Sequence, residues 1–286
     1  MSEYLLYLAL AAYFGATGLW LAFFLIQRES LCRYGAWVLA AGLACHTLVL
    51  IQRTWASGYL PVAVFGEALL LFDWVLVAAF LILNWRYPIR VLGALVAPLA
   101  ALLVYGSLIL PQGQAGAISP LLRGFWLTAH IGLTLGGYAA LTLNFLGGIF
   151  YLIQERQIKA KKFGFFYRRL PSLSQLDTLN YWCLTIGFPL FTGGIITGSL
   201  YAQHTLGRFW SWDPKEILTL IAWLIYAVLL HERLTVGWRG RRASWLAILG
   251  FLVLAVTFVG ANLWISGYHS FSKFVSHESP VSGRQS

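Results

Sequence analysis

A chain of 286 residues that is 59% hydrophobic, only 10% charged and has a mean hydropathy of +0.72 is excluded from the ordinary soluble domains. Its apolar stretches are long enough to cross a hydrocarbon core as helices and lack the alternation of a membrane barrel, so an all-α polytopic membrane protein is expected. A net charge of +10 would suggest nucleic acid in a soluble protein; here it reflects Lys and Arg in loops facing anionic lipid, and no nucleic acid is expected.

Eight spans are predicted, at about Tyr4–Ile26, Tyr34–Ile51, Glu67–Asn84, Val91–Leu110, Gly124–Leu152, Tyr181–Ala202, Ile217–His231 and Ser244–Ile265. The first has no basic n-region and no cleavage site before or after it, so it reads as a retained span. The second connection, residues 52–66, is short and apolar, with Gly58 and Pro61 marking turns and Trp55 to Leu60 along the interface. The fifth connection, residues 153–180, is the longest and most basic, extending the fifth helix and then turning at Pro171. Residues 1–270 are read as one integral domain, and residues 271–286 as a polar, flexible tail.

Fourteen of the twenty Lys and Arg fall in the first, third, fifth and seventh connections; the remainder are Arg53, Arg123, Arg208, Lys215, Lys273 and Arg284. The positive-inside rule makes the first group cytoplasmic and both termini extracytoplasmic. It also places outside the most unusual stretch, residues 203–216, which holds Gly207, Arg208, Phe209, Trp210, Trp212, Asp213, Lys215 and Glu216. Asp213 as N-cap, Pro214 as first helical residue and Glu216 three residues past the cap predict a capping box. The two tryptophans are readable as interfacial anchors. Alternating with Phe209 and flanked by Arg208 and Lys215, they also predict a flat aromatic wall with cationic edges, suited to a planar apolar ligand with acidic groups such as haem.

Cys32, Cys45 and Cys183 follow no Cys-x-x-Cys spacing and support neither a zinc nor a disulfide-exchange motif. Six histidines are present, and a histidine in or beside a span is a functional candidate because it is costly in hydrocarbon. His130, counted from Arg123, lies roughly 10 Å below the outer boundary. His269 follows the last span near the same surface. Each alone reads as an interfacial polar residue; together, on the face of the aromatic loop, they read as a pair of axial haem ligands. His231, near the inner end of the seventh span, is equally a snorkelling helix-end residue or a ligand whose partner comes from another chain. His46 is poorly matched to His231 in depth; His204 and His277 read as solvated, and Glu67 as a helix N-terminal charge.

Trp210-Ser211-Trp212-Asp213-Pro214-Lys215-Glu216 resembles the tryptophan-rich WWD segment of the haem-handling protein family, in the form carried by the CcsA (ResC) branch of system II cytochrome c biogenesis. Ser57 to Pro61 with Glu67, His130 through Ala139, Leu170 to Leu173 with Asp177, Gly187 to Leu190, and Gly267 to Ser270 fall in the family's order. Leu206, Val64 and Gly66 depart from it. The resemblance implies eight spans in a bacterial plasma membrane, or in a thylakoid membrane if the chain is of plastid origin. It implies haem b held outside between His130 and His269, a further ligand at His231, and apocytochrome c and a CcsB or ResB-type subunit as partners. The implied role is haem delivery and ligation in a cytochrome c synthase, with no conventional nucleophile or base. The alternative within the resemblance is a HemX-like membrane regulator of haem synthesis.

Overall fold

The structure is a computed structural model that describes residues 2–87, 89–110 and 124–260. The α-helices among them are α1 (Ser2–Ile26), α2 (Glu29–Ser57), α3 (Phe65–Arg86), α4 (Gly93–Ile109), α5 (Phe125–Lys159), α6 (Phe165–Arg169), α7 (Leu173–Leu206), α8 (Pro214–Thr235) and α9 (Arg241–Ala255). A 3₁₀ turn over Arg90–Leu92 leads into α4, and a π-helical turn over Val256–Gly260 continues α9. No strand occurs among the described residues. With the 3₁₀ and π-helical turns counted into α4 and α9, eight of the helices, all but the single-turn α6, are long and apolar enough to cross a membrane, as expected.

Several helices overrun the predicted spans, α2 at both ends (Glu29–Ser57 against Tyr34–Ile51) and α5 and α7 into polar sequence. The apolar run of α5 ends near Leu152 and, as expected of the fifth connection, the helix continues into charged sequence, where Glu155 and Lys159 pair one turn apart at 2.8 Å. α7 starts at Leu173, well before the predicted Tyr181, because Ser172 and Gln175 form a reciprocal capping box that holds its polar first turn. At 35 and 34 residues, α5 and α7 each run for about 50 Å, well beyond a hydrocarbon core of roughly 30 Å.

Contacts among the connections sort the molecule into two ends. At one, Glu29 pairs with Arg90, and Arg169 donates to the carbonyls of Phe24 and Leu25 at 2.7 and 2.6 Å. There too Asp177 binds Arg233 at 2.8 Å and the Gly240 amide at 2.9 Å. This basic end carries the fourteen cations of the odd-numbered connections. The opposite end, with the start of α5 and the turn from α7 to α8, is the loop end. The tail 271–286 lies outside the described residues, as do Arg123, His269 and His277.

The core is apolar and continuous along the bundle. In its amino-terminal half Trp20 is fully buried, edge-on to Phe23 and Phe80 and against the backbones of Gly35 and Gly93. In the other half Tyr226 fills the space over Gly250, and Phe145 stacks on Phe251 with centroids 4.1 Å apart. Phe258 joins the halves by meeting Phe65, Phe72 and Tyr138. The large apolar side chains left exposed on the outward faces of the helices suit a hydrocarbon solvent.

One polar group interrupts the amino-terminal core. His46 on α2 and Asp73 on α3 are both completely buried, with Nδ1 and Oδ2 3.6 Å apart, and the Tyr13 hydroxyl of α1 lies 3.3 Å from the same Nδ1. His46 therefore has a carboxylate neighbour of its own, which sequence reasoning did not find.

Candidate functional site

His130 stands in the second turn of α5, at the loop end, and is half-buried against α7. Its Nδ1 lies 2.7 Å from the carbonyl oxygen of Gly194, a residue 64 positions away. A carbonyl only accepts, so Nδ1 carries the proton, and a neutral imidazole in that tautomer keeps its lone pair on Nε2, the nitrogen that binds a metal. The Thr134 hydroxyl is 3.4 Å from the same Nδ1. The ring fits there because α7 is notched: a Cβ on Gly198 would lie 2.7 Å from both Cε1 and Nδ1 of His130, and one on Gly194 would collide with Thr134. Gly194 and Gly198 are site residues that sequence reasoning missed, although the small-xxx-small spacing that lets membrane helices approach was present. Gly198 lies nine residues before Gly207, so the imidazole sits roughly 13 Å below the tryptophan loop along α7.

The loop itself is a built turn. Gly207 ends α7 in the left-handed conformation, with φ of 70° and its N–H on the Gln203 carbonyl, a position that favours glycine. Trp212 adopts φ of 58°, a costly backbone conformation for a bulky side chain, immediately before the cap of α8. Asp213 caps α8 as expected, accepting from the Glu216 amide at 2.8 Å. The second arm of the expected capping box is redirected: Glu216 accepts from the Ser211 amide and hydroxyl, at 2.7 and 2.8 Å, and so holds the loop rather than the cap residue. Glu216→Ala should lower the stability of the purified protein by about 2 kcal/mol and expose the loop to protease, measured by thermal unfolding and limited proteolysis; an unchanged cleavage pattern at residues 207–213 would contradict this role.

The aromatic wall is not flat. Trp210 and Trp212 meet edge-to-face, with centroids 6.1 Å apart and planes at 78°, because the left-handed Trp212 turns its side chain away from its neighbour's plane. Trp212 and Phe209 are exposed, while Trp210 is half-buried. The Trp210 indole N–H is buried without an acceptor among the described residues, a fit for an acidic group on a ligand. Arg208 is exposed and Lys215 half-buried in the first turn of α8, so both cations border the loop.

A second turn at this end is braced in the same way. Glu67 is nearly buried and accepts from the Ala63 amide at 2.8 Å, tying the start of α3 to the preceding loop; it is more than a helix-terminal charge. Burial, then the nearby Glu67 charge, pushes the Tyr59 phenol up from its usual range, against an opposing hydrogen bond with Ser57, so it remains a donor at neutral pH.

His231 lies elsewhere. It is exposed near the basic end of α8, in register with exposed Ile217, Ile221, Leu224 and Val228, a stripe along one face of that helix. The structure thus separates His231 from His130. His269 lies outside the described residues, and His204 is exposed.

Residues 63–269 match the sequence model of a family described as cytochrome C assembly protein. Similar curated proteins include one from Guillardia theta, 36% identical over 249 residues, covering 80% of this chain and 83% of that protein. Another, from Synechococcus sp. strain CC9605, is 32% identical over 278 residues, covering 89% of this chain and 91% of that protein. Both bear the name cytochrome c biogenesis protein CcsA. Among solved structures the chain resembles cytochrome c heme lyase CcmF, with a TM-score of 0.66 over 90% of this chain at 16% identity; it spans about half, 46%, of that protein, and the likeness is one of fold. With eight membrane-length helices, a match over residues 63–269 and relatives similar along most of its length, this chain belongs to the cytochrome c assembly protein family, as one of its CcsA-type cytochrome c biogenesis members.

Proposed function

We infer that this protein presents haem at the loop end for attachment to apocytochrome c, as the haem-holding subunit of a system II cytochrome c synthase. The observation that carries the reading is the His130 imidazole, oriented by the Gly194 carbonyl so that Nε2 is the basic nitrogen, on the end of the bundle that bears the tryptophan loop. His269 is the proposed second axial ligand. Two neutral imidazoles hold a low-spin iron, and the half-buried Trp210 with Arg208 and Lys215 supplies an aromatic surface with donors for propionates. Gly207 and Asp213 fix the ends of the loop, and Phe209 and Trp212 add its outer aromatic surface. The group carried is haem b, as substrate. Carbon–sulfur bond formation belongs to its vinyl groups and the two thiols of the apocytochrome; this chain contributes position and electrostatics.

The basic loops support placing the loop end outside and the basic end in the cytoplasm of a bacterial plasma membrane, or the equivalent arrangement in a thylakoid. The exposed α8 stripe supports a second membrane subunit of the CcsB or ResB type packing there, with His231 directed towards it and away from the bundle. Such a contact would supply a ligand that His231 does not meet among the described residues of its own bundle.

The test is the reduced absorption spectrum of the detergent-purified chain coexpressed with that partner. A low-spin bis-imidazole spectrum is expected, lost in His130→Gly and in His269→Gly and partly restored by imidazole. Protein without haem, or a spectrum indifferent to both changes, would transfer the assignment to a HemX-like regulator of haem synthesis.

A further inference from the structure

The basic end contains a feature that haem presentation at the opposite end does not use. A cleft of about 250 Å³ opens where the end of α1, the turn between α3 and α4, and the start of α7 meet. Phe23, Val91, Leu170 and Pro171 line its apolar walls, and the side chains of Arg90, Arg169 and Gln175 form the polar part of its lining. A second cleft of about 240 Å³ adjoins it, sharing Ile89 and Gln175, and runs past Leu83 and Leu179 to Trp182.

We propose that this double cleft binds one anionic phospholipid, its phosphate held by Arg169 and Arg90 and its glycerol and upper acyl chain in the adjoining apolar channel. Four observations support this occupant. First, the depth is that of a headgroup: Arg169 donates to the carbonyls of Phe24 and Leu25 in the last turn of the membrane-length helix α1. Second, Arg169 has no carboxylate within ion-pair distance among the described residues, although its Nε and both terminal nitrogens are anchored on backbone oxygens. Its remaining N–H groups and its charge are suited to a phosphate. Arg90 is bound to Glu29 and supplies a second, partly neutralised guanidinium.

Third, the flanking turn has the composition of an interfacial anchor. Lys161 and Lys162 precede, and Arg168 follows, the exposed rings of Phe163, Phe165 and Phe166. Phe165 and Phe166 pack on Phe24 at 5.7 and 6.2 Å, which holds these rings at the level where α1 ends. Tyr87 stacks on Trp182 across the second cleft, giving the channel an aromatic rim at the same depth. Fourth, the sizes suit the parts of one lipid: a cleft of about 250 Å³ takes a phosphate with its glycerol, and the adjoining one of about 240 Å³ takes the upper part of an acyl chain. The lipid would fasten three chain segments that are remote in sequence, at the end where α5 and α7 leave the membrane.

The test is native mass spectrometry of the full chain in detergent, equilibrated with equal amounts of phosphatidylglycerol and phosphatidylcholine. One phosphatidylglycerol should remain bound in preference to phosphatidylcholine. Arg169→Gln and Arg90→Gln should each weaken its retention about fivefold, the effect of one cation at a membrane surface, while Arg239→Gln, outside the cleft, should not. Excess glycerol 3-phosphate should leave the lipid in place. Equal retention of the two lipids, an equal loss in Arg239→Gln, or displacement by glycerol 3-phosphate would overturn the proposal, the last by making the ligand a free phosphate ester. Should Arg169→Gln unfold by uncapping α1, Arg90→Gln alone decides, since it removes only an exposed ion pair. The measurement reads lipid and not haem, so its failure leaves the haem assignment untouched.

Discussion

Gly198→Leu should abolish haem binding at the loop end while leaving the helical bundle intact. The groove that receives His130 exists because α7 has no side chain there: even a Cβ would come within 2.7 Å of two ring atoms, and those atoms are part of a rigid imidazole, not the tip of a flexible chain. The ring must move, and moving it breaks the 2.7 Å hydrogen bond to the Gly194 carbonyl that sets its tautomer. A ligand misplaced by even about 1 Å loses its geometry, so Gly198→Ala should already lower haem retention by roughly tenfold or more. Two controls separate this from general damage to helix packing. Gly132→Ala, on the same helix as His130, meets nothing within 4 Å, and Gly193→Ala meets only the flexible end of Leu133 at 3.4 Å. Both should retain haem at the level of the unaltered protein. Haem content from the reduced spectrum, read beside helical content from circular dichroism, checks all four. Full haem content in Gly198→Ala would mean that His130 is not the ligand or is not held by α7.

Asp73→Leu should destabilise the amino-terminal core, and adding His46→Leu to it should restore much of what is lost. Both side chains are completely buried in the amino-terminal core. Removing Asp73 takes from His46 its one carboxylate neighbour among the described residues and leaves it the Tyr13 hydroxyl, a loss of about 1–3 kcal/mol in a low-dielectric interior, whereas replacing both by apolar residues of similar size is often neutral. The Tyr13 hydroxyl, 3.3 Å from His46 Nδ1, should contribute about 1 kcal/mol, read in Tyr13→Phe. Unfolding of the detergent-solubilised variants measures the cycle. If the double variant were as damaged as the single, the pair would have a task beyond satisfying one another. The residues involved lie on three helices, and the family match begins at residue 63, so Asp73 falls inside it while Tyr13 and His46 precede it. This cluster is therefore one of the points at which α1 and α2 are fastened to α3.

The eight membrane-length helices were legible from the sequence because the solvent makes the rule: a hydrocarbon core admits backbone only as long apolar helices or closed barrels, and the apolar runs were long and unalternating. The start of α8 was legible too, since Asp213 and Pro214 act within one turn of each other. The charged continuation of α5 past its apolar run was expected, and a helix end was misplaced where a cap was passed over, as at Ser172 in α7. The sequence also carried His130 as a candidate, by its depth and by the tryptophan loop on the same face.

Tertiary structure alone decided what each of these side chains touches. Gly198 and Gly194 became the seat of His130 only because α5 and α7 lie side by side, a contact between residues 64 positions apart. Asp73 met His46, the clefts at Arg90 and Arg169 formed, and His231 was turned outward, because of which helices became neighbours. Trp210 and Trp212, two residues apart, ended nearly perpendicular, through a left-handed backbone at Trp212 that no local propensity predicts. Periodicity, capping and hydropathy act over a few residues or one membrane thickness, and so reach the elements. The pairing of faces is set by packing summed over the whole bundle, and that is where the site was assembled.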